Sequence, residues 1–366
     1  MEVICSLKNK KRMGVDKMFG ISVFPGMGVG AEENLNYMKR AADRGIRYLF
    51  TSLHIPESDL ERIEFEFIGI LERAKSLNMT VIVDISKEYF KRYDWNKYGG
   101  FIFRLDFGFT DEEIVEISKE YQIQLNASTV DEKKMERLID LGLSIENISA
   151  CHNYYPRKDT GISIEFLRRK NKCFSRFGMR VMAFVGSQNK KRGPLYEGLP
   201  TVEGHRNLNI LVGTQELLSE GCDVVIVGDS MASGKEMDAL GKIKKERWLL
   251  PARGYPMSLE EKKIFDGVHQ ERVDQGEYVV RSMRSQNSME EVGPGEIAQG
   301  ISSERKMCSI TIDNCNYGRY QGELQIVKRD LPADERTNVV GSVEDRGRLL
   351  HRIKPGDEFE FYKINK

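Results

Sequence analysis

The chain has 366 residues, of which 40% are hydrophobic and 31% are charged, a composition typical of a globular protein. Lys and Arg together number 56, as do Asp and Glu, so the formal net charge is zero. This balance disfavours nucleic acid as the main partner, because nucleic-acid-binding proteins usually carry an excess of basic residues. No stretch approaches the roughly 18 to 20 apolar residues that span a bilayer, so no membrane association is expected.

The N-terminal sequence MEVICSLKNKKRMGVDKMFG has only a short apolar stretch before a basic run, unlike a secretory signal. We interpret residues 1–18 as an extension and a candidate for disorder, with Met13 or Met18 as alternative starts. The six cysteines form no CxxC pair, which favours free thiols in a reducing compartment. The expected location is therefore the cytoplasm.

A repeated unit of helix, glycine and apolar run follows. AADRGIRYLF, LIDLGLSIENISA, FSRFGMRVMAFV and LLSEGCDVVIVG share it, and AKSLNMTVIVD has Asn78 in place of the glycine. These positions suit the left-handed residue that ends a helix. Residues 131–141 also place Met135, Leu138 and Leu141 on one helical stripe. Eight strands are predicted at 20–25, 48–55, 80–86, 101–107, 122–128, 148–155, 180–187 and 223–229.

Eight strands alternating with helices predict an α/β fold, a (β/α)8 TIM barrel over residues 19–250. A doubly wound open sheet is the structural alternative. It usually has a glycine-rich phosphate turn after its first strand, but FPGMGVGAEEN does not match GxGxxG. Beyond the Pro/Gly-rich PARGYPMSLEE, short alternating runs predict a small all-β barrel domain over residues 251–366. These runs are EYVVRSM, CSITIDN, GELQIVKRDL and DEFEFYKI.

The strand FIFRLDFGF carries two charges on one face. Its phenylalanines alternate with Arg104 and Asp106, so the charges point into the barrel mouth, where active sites of this fold lie. Carboxylates near each other and near an arginine can have their pKa values tuned apart, as acid–base catalysis requires. A structural ion pair is the alternative. The same pattern directs further polar side chains to this level: His54, Asp84, Asn126, His152, Tyr154, Tyr155 and Asp229.

The loop after the seventh strand, GSQNKKRGPLYEGLPTVEGHRN, is rich in charged residues. Loops at this place in the barrel often bind phosphate, although a solvated charge run would look the same. No HExxH or similar spacing supports a metal site, and neither a metal nor a cofactor is expected. The charged candidates in this loop are Lys190, Lys191, Arg192, Glu197, Glu203 and Arg206.

Together the motifs resemble a bacterial family once known only as a domain of unknown function, whose members were sometimes labelled outer surface proteins. They include MFGISVFPG, LFTSLHIPE, DISKEYF, FRLDFGF, CHNYYPR, YEGLPTVEGHRN, VRSMRSQ, ITIDNCNYGRYQGELQI and NVVG. A characterised member of that family is a 6-phospho-N-acetylmuramidase. The resemblance runs from about residue 18 to the end and implies a TIM barrel followed by a cyclophilin-like β-barrel domain.

The resemblance implies a cytoplasmic glycosidase of cell-wall sugar recycling, with a phosphorylated amino-sugar disaccharide as substrate. It would hydrolyse the β-1,4 bond of N-acetylmuramic acid 6-phosphate–N-acetylglucosamine. A phosphosugar lyase or aldolase barrel and a non-catalytic carbohydrate-binding protein are the alternatives.

The catalytic candidates are Asp84, Asp106, Glu197, Glu203 and Asp229. The substrate-binding candidates are His54, Arg104, Asn126, His152, Tyr154, Tyr155, Lys191, Arg206, Arg281 and Arg284.

Asp84 and Asp106 are the preferred catalytic pair, because they are the last inward carboxylates of neighbouring strands. Adjacent strands lie about 4.8 Å apart. Carboxyl groups about 5 to 5.5 Å apart would indicate a retaining glycosidase, and a separation of about 6.5 to 9.5 Å an inverting one. The strand spacing favours retention.

Overall fold

A computed structural model describes residues 18–52, 60–95, 100–283, 296–300 and 303–364. The chain divides into two compact units, Met1–Gly241 and Lys242–Lys366. Residues 242–250, which the sequence analysis assigns to the barrel, group with the second unit.

The first unit is a closed barrel of eight parallel strands in chain order, so the predicted TIM-barrel architecture is confirmed. Each strand pairs with the next, and β8 pairs with β1. The strands are β1 (Phe19–Ser22), β2 (Tyr48–Ser52), β3 (Thr80–Ile85), β4 (Phe101–Leu105), β5 (Gln122–Asn126), β6 (Ile148–Cys151), β7 (Arg180–Val185) and β8 (Val224–Val227).

Helices follow the strands of the barrel. Thr110 and Glu113 form a reciprocal capping box at the first turn of the helix that begins at Asp111, which satisfies backbone N–H groups there. In the part of the chain that the structure describes, no helix has the length and apolar character needed to cross a membrane. The helices are α1 (Ala31–Ala42), α2 (Leu60–Ser76), α3 (Lys87–Arg92), α4 (Asp111–Glu120), α5 (Glu132–Asp140), α6 (Ile164–Arg176), α7 (Ile210–Ser219) and α8 (Gly234–Leu240).

The two faces of β4 have the predicted environments. Phe103 packs outward, with its ring centroid 5.2 Å from that of Phe90 and 4.9 Å from that of Trp95. Ile102 points the other way, into an interior cluster that includes Ile82 and Phe50. Arg104 shares the inward face of Ile102, and this register places its charge inside the barrel.

The predicted helix ends are also found. Gly142 and Gly178 have φ values of 98° and 68°, and Asn78 has a φ of 54°, so all three are in the left-handed region that ends a helix. The stripe on α5 is confirmed for Met135 and Leu138, which are buried, but not for Leu141. The helix ends at Asp140, and Leu141 is its C-cap residue, with an exposed side chain.

The second unit contains a seven-stranded mixed sheet in the order β10-β15-β9-β14-β12-β13-β11. A bridge between Glu271 and Ser282 links its two edge strands, so the sheet is nearly closed, as predicted for a small barrel. The elements are β9 (Arg247–Gly254), α9 (Leu259–Phe265), β10 (His269–Gln270), β11 (Val279–Arg281), β12 (Ser309–Asp313), β13 (Leu324–Val327), β14 (Thr337–Val343) and β15 (Glu358–Lys363).

Candidate active site

Asp84 and Asp106 both contact one arginine at the carboxyl ends of β3 and β4. Arg104 lies opposite Asp84 in the strand register. Its Nη1 lies 2.5 Å from Asp84 Oδ1 and 3.6 Å from Asp106 Oδ1. Ser52 Oγ donates to the other oxygen of Asp84 at 3.3 Å. The side chains of Asp84 and Arg104 are buried, whereas that of Asp106 is 32% exposed and can meet a ligand.

Arg104 is held from its other side by Asn153, a residue that the sequence analysis did not select. Nη2 of Arg104 donates to Asn153 Oδ1, which also accepts a 3.0 Å hydrogen bond from Asn126 Nδ2. Burial by itself lowers the pKa of Arg104, but the neighbouring negative charges, Asp84 foremost, more than offset this, so the pKa is raised. The guanidinium therefore stays charged. The motif CHNYY contained the signal, since Asn153 lies two residues after the end of the sixth strand.

An aromatic layer lies at the same mouth. The ring of Tyr154 makes edge contacts with Phe24, Phe50 and Phe184, at centroid distances of 6.3, 5.9 and 5.2 Å. Burial chiefly raises the pKa of Tyr154, while the charge of Arg192 lowers it and that of Asp84 raises it further. The charges of Arg192 and Asp84 therefore both act on the pKa of the Tyr154 hydroxyl. Its neighbour Tyr155 is half-buried and donates its backbone N–H to Pro200 O at 2.9 Å.

Asp229 anchors the loop after β7 instead of pointing at a ligand. It is fully buried and accepts backbone N–H groups of Ser187 at 2.8 Å, Arg192 at 3.1 Å and Leu199 at 3.3 Å. Burial raises the pKa of this carboxyl, and the three N–H donors act against that shift. These contacts make Asp229 an anchor of the loop, and the catalytic role of Asp229 stays a prediction.

Glu203 and Arg206 form a second anchor. Arg206 Nε and Nη2 each lie 2.6 Å from an oxygen of Glu203, and Glu203 also accepts the N–H groups of Asp159 and Gly161. The hydrogen bonds from Arg206 lower the pKa of Glu203 to about 2, more than burial raises it. Arg206 further donates to the carbonyls of Gly198 and Arg157, at 3.0 and 3.1 Å. Both side chains are therefore engaged in holding the loops together.

The remaining candidates from this loop are more exposed. Glu197 accepts the backbone N–H of Lys158 at 2.8 Å. Lys191 makes a 3.4 Å hydrogen bond to Asn207. Neither contact involves Asp84, Arg104 or Asp106.

His152 points away from the barrel interior. Its Nε2 lies 2.8 Å from Asn171 Oδ1 on α6, and its Nδ1 lies 3.3 Å from Ser128 Oγ. Burial lowers the pKa of His152 to about 4, so the ring is neutral near pH 7. His152 packs against α6 because the adjacent Cys151 occupies the interior position, and its contact with a substrate stays a prediction.

In the second unit, Arg281 makes a bidentate pair with Glu323 at 2.8 and 2.9 Å. His54 and Arg284 lie outside the described residues. Among the residues that are described, no group of three or more His, Cys, Asp or Glu side chains is arranged to hold a metal ion. The barrel mouth therefore offers two carboxylates, a fixed arginine, amide groups and aromatic faces.

Comparison with models of known protein families shows to which family the chain belongs. The model of the N-terminal part of the 6-phospho-N-acetylmuramidases matches residues 19–242, and the model of their C-terminal part matches residues 254–362. The chain belongs to the 6-phospho-N-acetylmuramidase family. The two matched regions correspond to the two compact units, and Asp84, Arg104 and Asp106 lie in the first.

Two solved structures are similar over almost their whole length. A conserved Enterococcus faecalis protein of unknown function shares 31% sequence identity, with coverage of 95% of this chain and 97% of that one and a TM-score of 0.78. An uncharacterized B. cereus protein shares 29% identity, with coverage of 94% and 99% and a TM-score of 0.80. Because the coverage of both chains is nearly complete, both structures share the two-unit organisation of this muramidase family member. No curated protein matches the chain.

Proposed function

We propose that the protein is a cytoplasmic glycosidase that hydrolyses the β-1,4 bond of N-acetylmuramic acid 6-phosphate–N-acetylglucosamine during cell-wall sugar recycling. Family membership supports the substrate class. The observation that best supports this reaction is the contact of two carboxylates, Asp84 and Asp106, with the single guanidinium of Arg104 at the barrel mouth. Glycosidases generally need two such carboxyl groups beside the bond that they break.

The shared arginine limits the separation of the two carboxylates. Because Asp84 Oδ1 and Asp106 Oδ1 lie 2.5 and 3.6 Å from the same nitrogen, they cannot be far apart. The sum of these two distances limits the separation of the two Oδ1 atoms to roughly 6 Å. This limit is closer to the separation of about 5 to 5.5 Å in retaining enzymes than to the separation of about 6.5 to 9.5 Å in inverting enzymes. The geometry favours a retaining mechanism with a covalent glycosyl-enzyme intermediate.

The surroundings of the two residues favour different roles. Asp84 is buried and fixed by Arg104 and Ser52, as a nucleophile that attacks along one direction must be. Asp106 is partly exposed and lies just after β4, where the leaving group of a bound sugar can reach it. In this proposal Asp106 protonates the leaving oxygen, and Asp84 forms the bond to the sugar. Asp106 then deprotonates the water that releases the sugar.

An activated substrate tests these roles. We expect both Asp84→Asn and Asp106→Asn to reduce cleavage of the phosphorylated disaccharide by orders of magnitude, since the amide keeps the shape but neither attacks nor donates as a carboxylic acid does. An aryl glycoside of the same phosphosugar needs little protonation of its leaving group. It should therefore recover much of the activity of Asp106→Asn and little of that of Asp84→Asn.

Asp43→Asn is the matched control, because it makes the same chemical change in an exposed ion pair with Lys39 at the end of α1. It should leave both rates unchanged. Near-normal disaccharide rates in both site variants would refute the assignment and direct the search to Glu197. Binding of the disaccharide without turnover by the wild-type protein would instead identify a carbohydrate-binding protein.

A further inference from the structure

Arg192, in the loop after β7, holds its guanidinium group against two aromatic rings. Its central carbon lies 4.5 Å from the ring centroid of Phe24 and 5.2 Å from that of Tyr154. Nη1 donates a 3.1 Å hydrogen bond to the Tyr154 hydroxyl, and Nε donates a 3.4 Å bond to the carbonyl of Gly193. Stacking of this kind fixes the plane of the guanidinium and leaves its outer N–H groups able to bind an anion.

The guanidinium of Arg192 differs from the other cations of its loop in the groups that surround it. Lys190, from the same loop, lies 2.5 Å from Glu33, and Arg206 lies 2.6 Å from Glu203. Asp229 accepts the backbone N–H of Arg192 and not its guanidinium. Within the described ranges no carboxylate forms an ion pair with Arg192. A half-buried cation over apolar rings is best stabilised by an anionic ligand, since few water molecules reach it.

The aromatic layer links Arg192 to the carboxylate pair. Tyr154 carries the guanidinium on its ring, and Asn153, the residue before it, accepts a hydrogen bond from Arg104, which contacts both carboxylates. Phe24 and Tyr154 both pack on Phe50 inside the barrel, at centroid distances of 6.4 and 5.9 Å. Arg192 and the arginine that holds the carboxylate pair therefore contact adjacent residues after β6, so one molecule bound at this mouth can meet both groups.

We propose that Arg192 is the residue that recognises the sugar phosphate, with Phe24 and Tyr154 holding its guanidinium in place. This inference rests on the proposed function and assigns the phosphate selectivity of that site. A planar guanidinium can bind two phosphate oxygens at once. Arg206 and Lys190 are already paired with carboxylates, and Lys191 contacts the amide of Asn207 at 3.4 Å without an aromatic platform to fix it.

Binding of monosaccharides tests the assignment without any need for turnover. Calorimetry would compare N-acetylmuramic acid 6-phosphate, N-acetylmuramic acid and N-acetylglucosamine 6-phosphate. The wild-type protein should prefer the two phosphorylated sugars. Arg192→Met should weaken their binding by about 10- to 100-fold and remove the preference. Arg192→Lys keeps the positive charge but lacks the planar guanidinium that binds two phosphate oxygens. Its phosphate preference should therefore lie between those of the wild type and Arg192→Met. Lys190→Met, the matched control in the same loop, should keep the full preference.

The outcomes separate this inference from the proposed function. An undiminished phosphate preference in folded Arg192→Met or Arg192→Lys, or no preference in the wild type, would overturn the role of Arg192. Equal weakening for N-acetylmuramic acid would also overturn it, because Arg192 would then bind the lactyl carboxylate. The wild-type protein could bind the phosphosugar but cleave no disaccharide, while Arg192→Met loses the phosphate preference. That result would support the role of Arg192 and contradict the proposed glycosidase activity. Thermal unfolding midpoints show that each variant is folded.

Discussion

Arg192 and Arg206 belong to one loop, yet their guanidinium groups have opposite surroundings. Arg206 is 4% exposed and pairs with Glu203, whereas Arg192 lies over Phe24 and Tyr154. From the sequence, Arg206 and Lys191 are predicted to bind substrate, whereas Arg192 is only one of several charged residues in the loop. Proximity along the chain cannot tell a paired cation from one that is free to bind a ligand. The two arginines differ only through contacts that the folded loop creates.

Glu271 is a buried carboxyl group whose pKa links the stability of the second unit to pH. One of its oxygens accepts the N–H of Arg281 at 2.8 Å, and the other has no partner among the described residues. Burial raises the pKa of Glu271 from its ordinary 4.5 to about 7. Between these two values the folded chain retains a proton that the unfolded chain releases. The free energy of unfolding therefore falls as pH rises through this window and levels off above it.

We expect Glu271→Gln to remove this contribution. The stability of the variant relative to the wild type should increase by up to about 3 kcal/mol between about pH 5 and about pH 8. Chemical denaturation at several pH values measures the difference. Asp313, whose pKa is also raised to about 7 chiefly by burial, contributes to the wild-type slope but cancels in the comparison. A stability difference that is constant with pH would show that Glu271 titrates normally.

The strands illustrate how far period-two alternation predicts an element. All eight barrel strands were placed correctly, but several predicted ends extend too far, as at 155 where β6 ends at Cys151. Alternation continues after the ladder hydrogen bonds stop, and the residues beyond that point form the mouth of the barrel. Strand β9 was missed because Pro251 and Gly254 are typical of a joint, yet it pairs with β14 and β15.

Asp84 and Arg104 were predicted together because they occupy the inward positions of adjacent strands. The role of Asp229 was not predictable in this way. Its partners lie in the loop after β7, and no periodicity connects a carboxylate after β8 with N–H groups in that loop. Strand-end residues can thus be assigned to the site from the pattern, but their partners require the fold.

The loop after β7 should depend on Asp229 for its position. Asp229→Ala would leave the buried N–H groups of Ser187 and Leu199 and that of Arg192 without their acceptor. We expect the free energy of unfolding to fall by about 3 kcal/mol or more, measured by urea denaturation. Asp223→Ala is the matched control, since among the described residues that exposed carboxylate accepts a hydrogen bond from the N–H of Val181 alone. It should lose less than about 1 kcal/mol. Equal losses would argue against the anchor.

The two units are expected to act as one enzyme. Both are matched by models of a single family, and the linker between α8 and β9 is only a few residues long. We predict that a chain truncated after residue 250 is unstable or much less active than the full chain. Circular dichroism and disaccharide turnover would measure both properties. A truncated chain with full stability and activity would show that the second unit is dispensable.

Turnover of the phosphorylated disaccharide tests the proposed activity most directly. Purified protein would be incubated with N-acetylmuramic acid 6-phosphate–N-acetylglucosamine and with its unphosphorylated form, and the released sugars would be separated and quantified. A charge-assisted contact to the phosphate is worth about 1.5 to 3 kcal/mol. We therefore predict efficient cleavage of the phosphorylated disaccharide and much slower cleavage of the other. Equal cleavage of the two would contradict phosphate recognition, and cleavage of neither would contradict the proposed glycosidase.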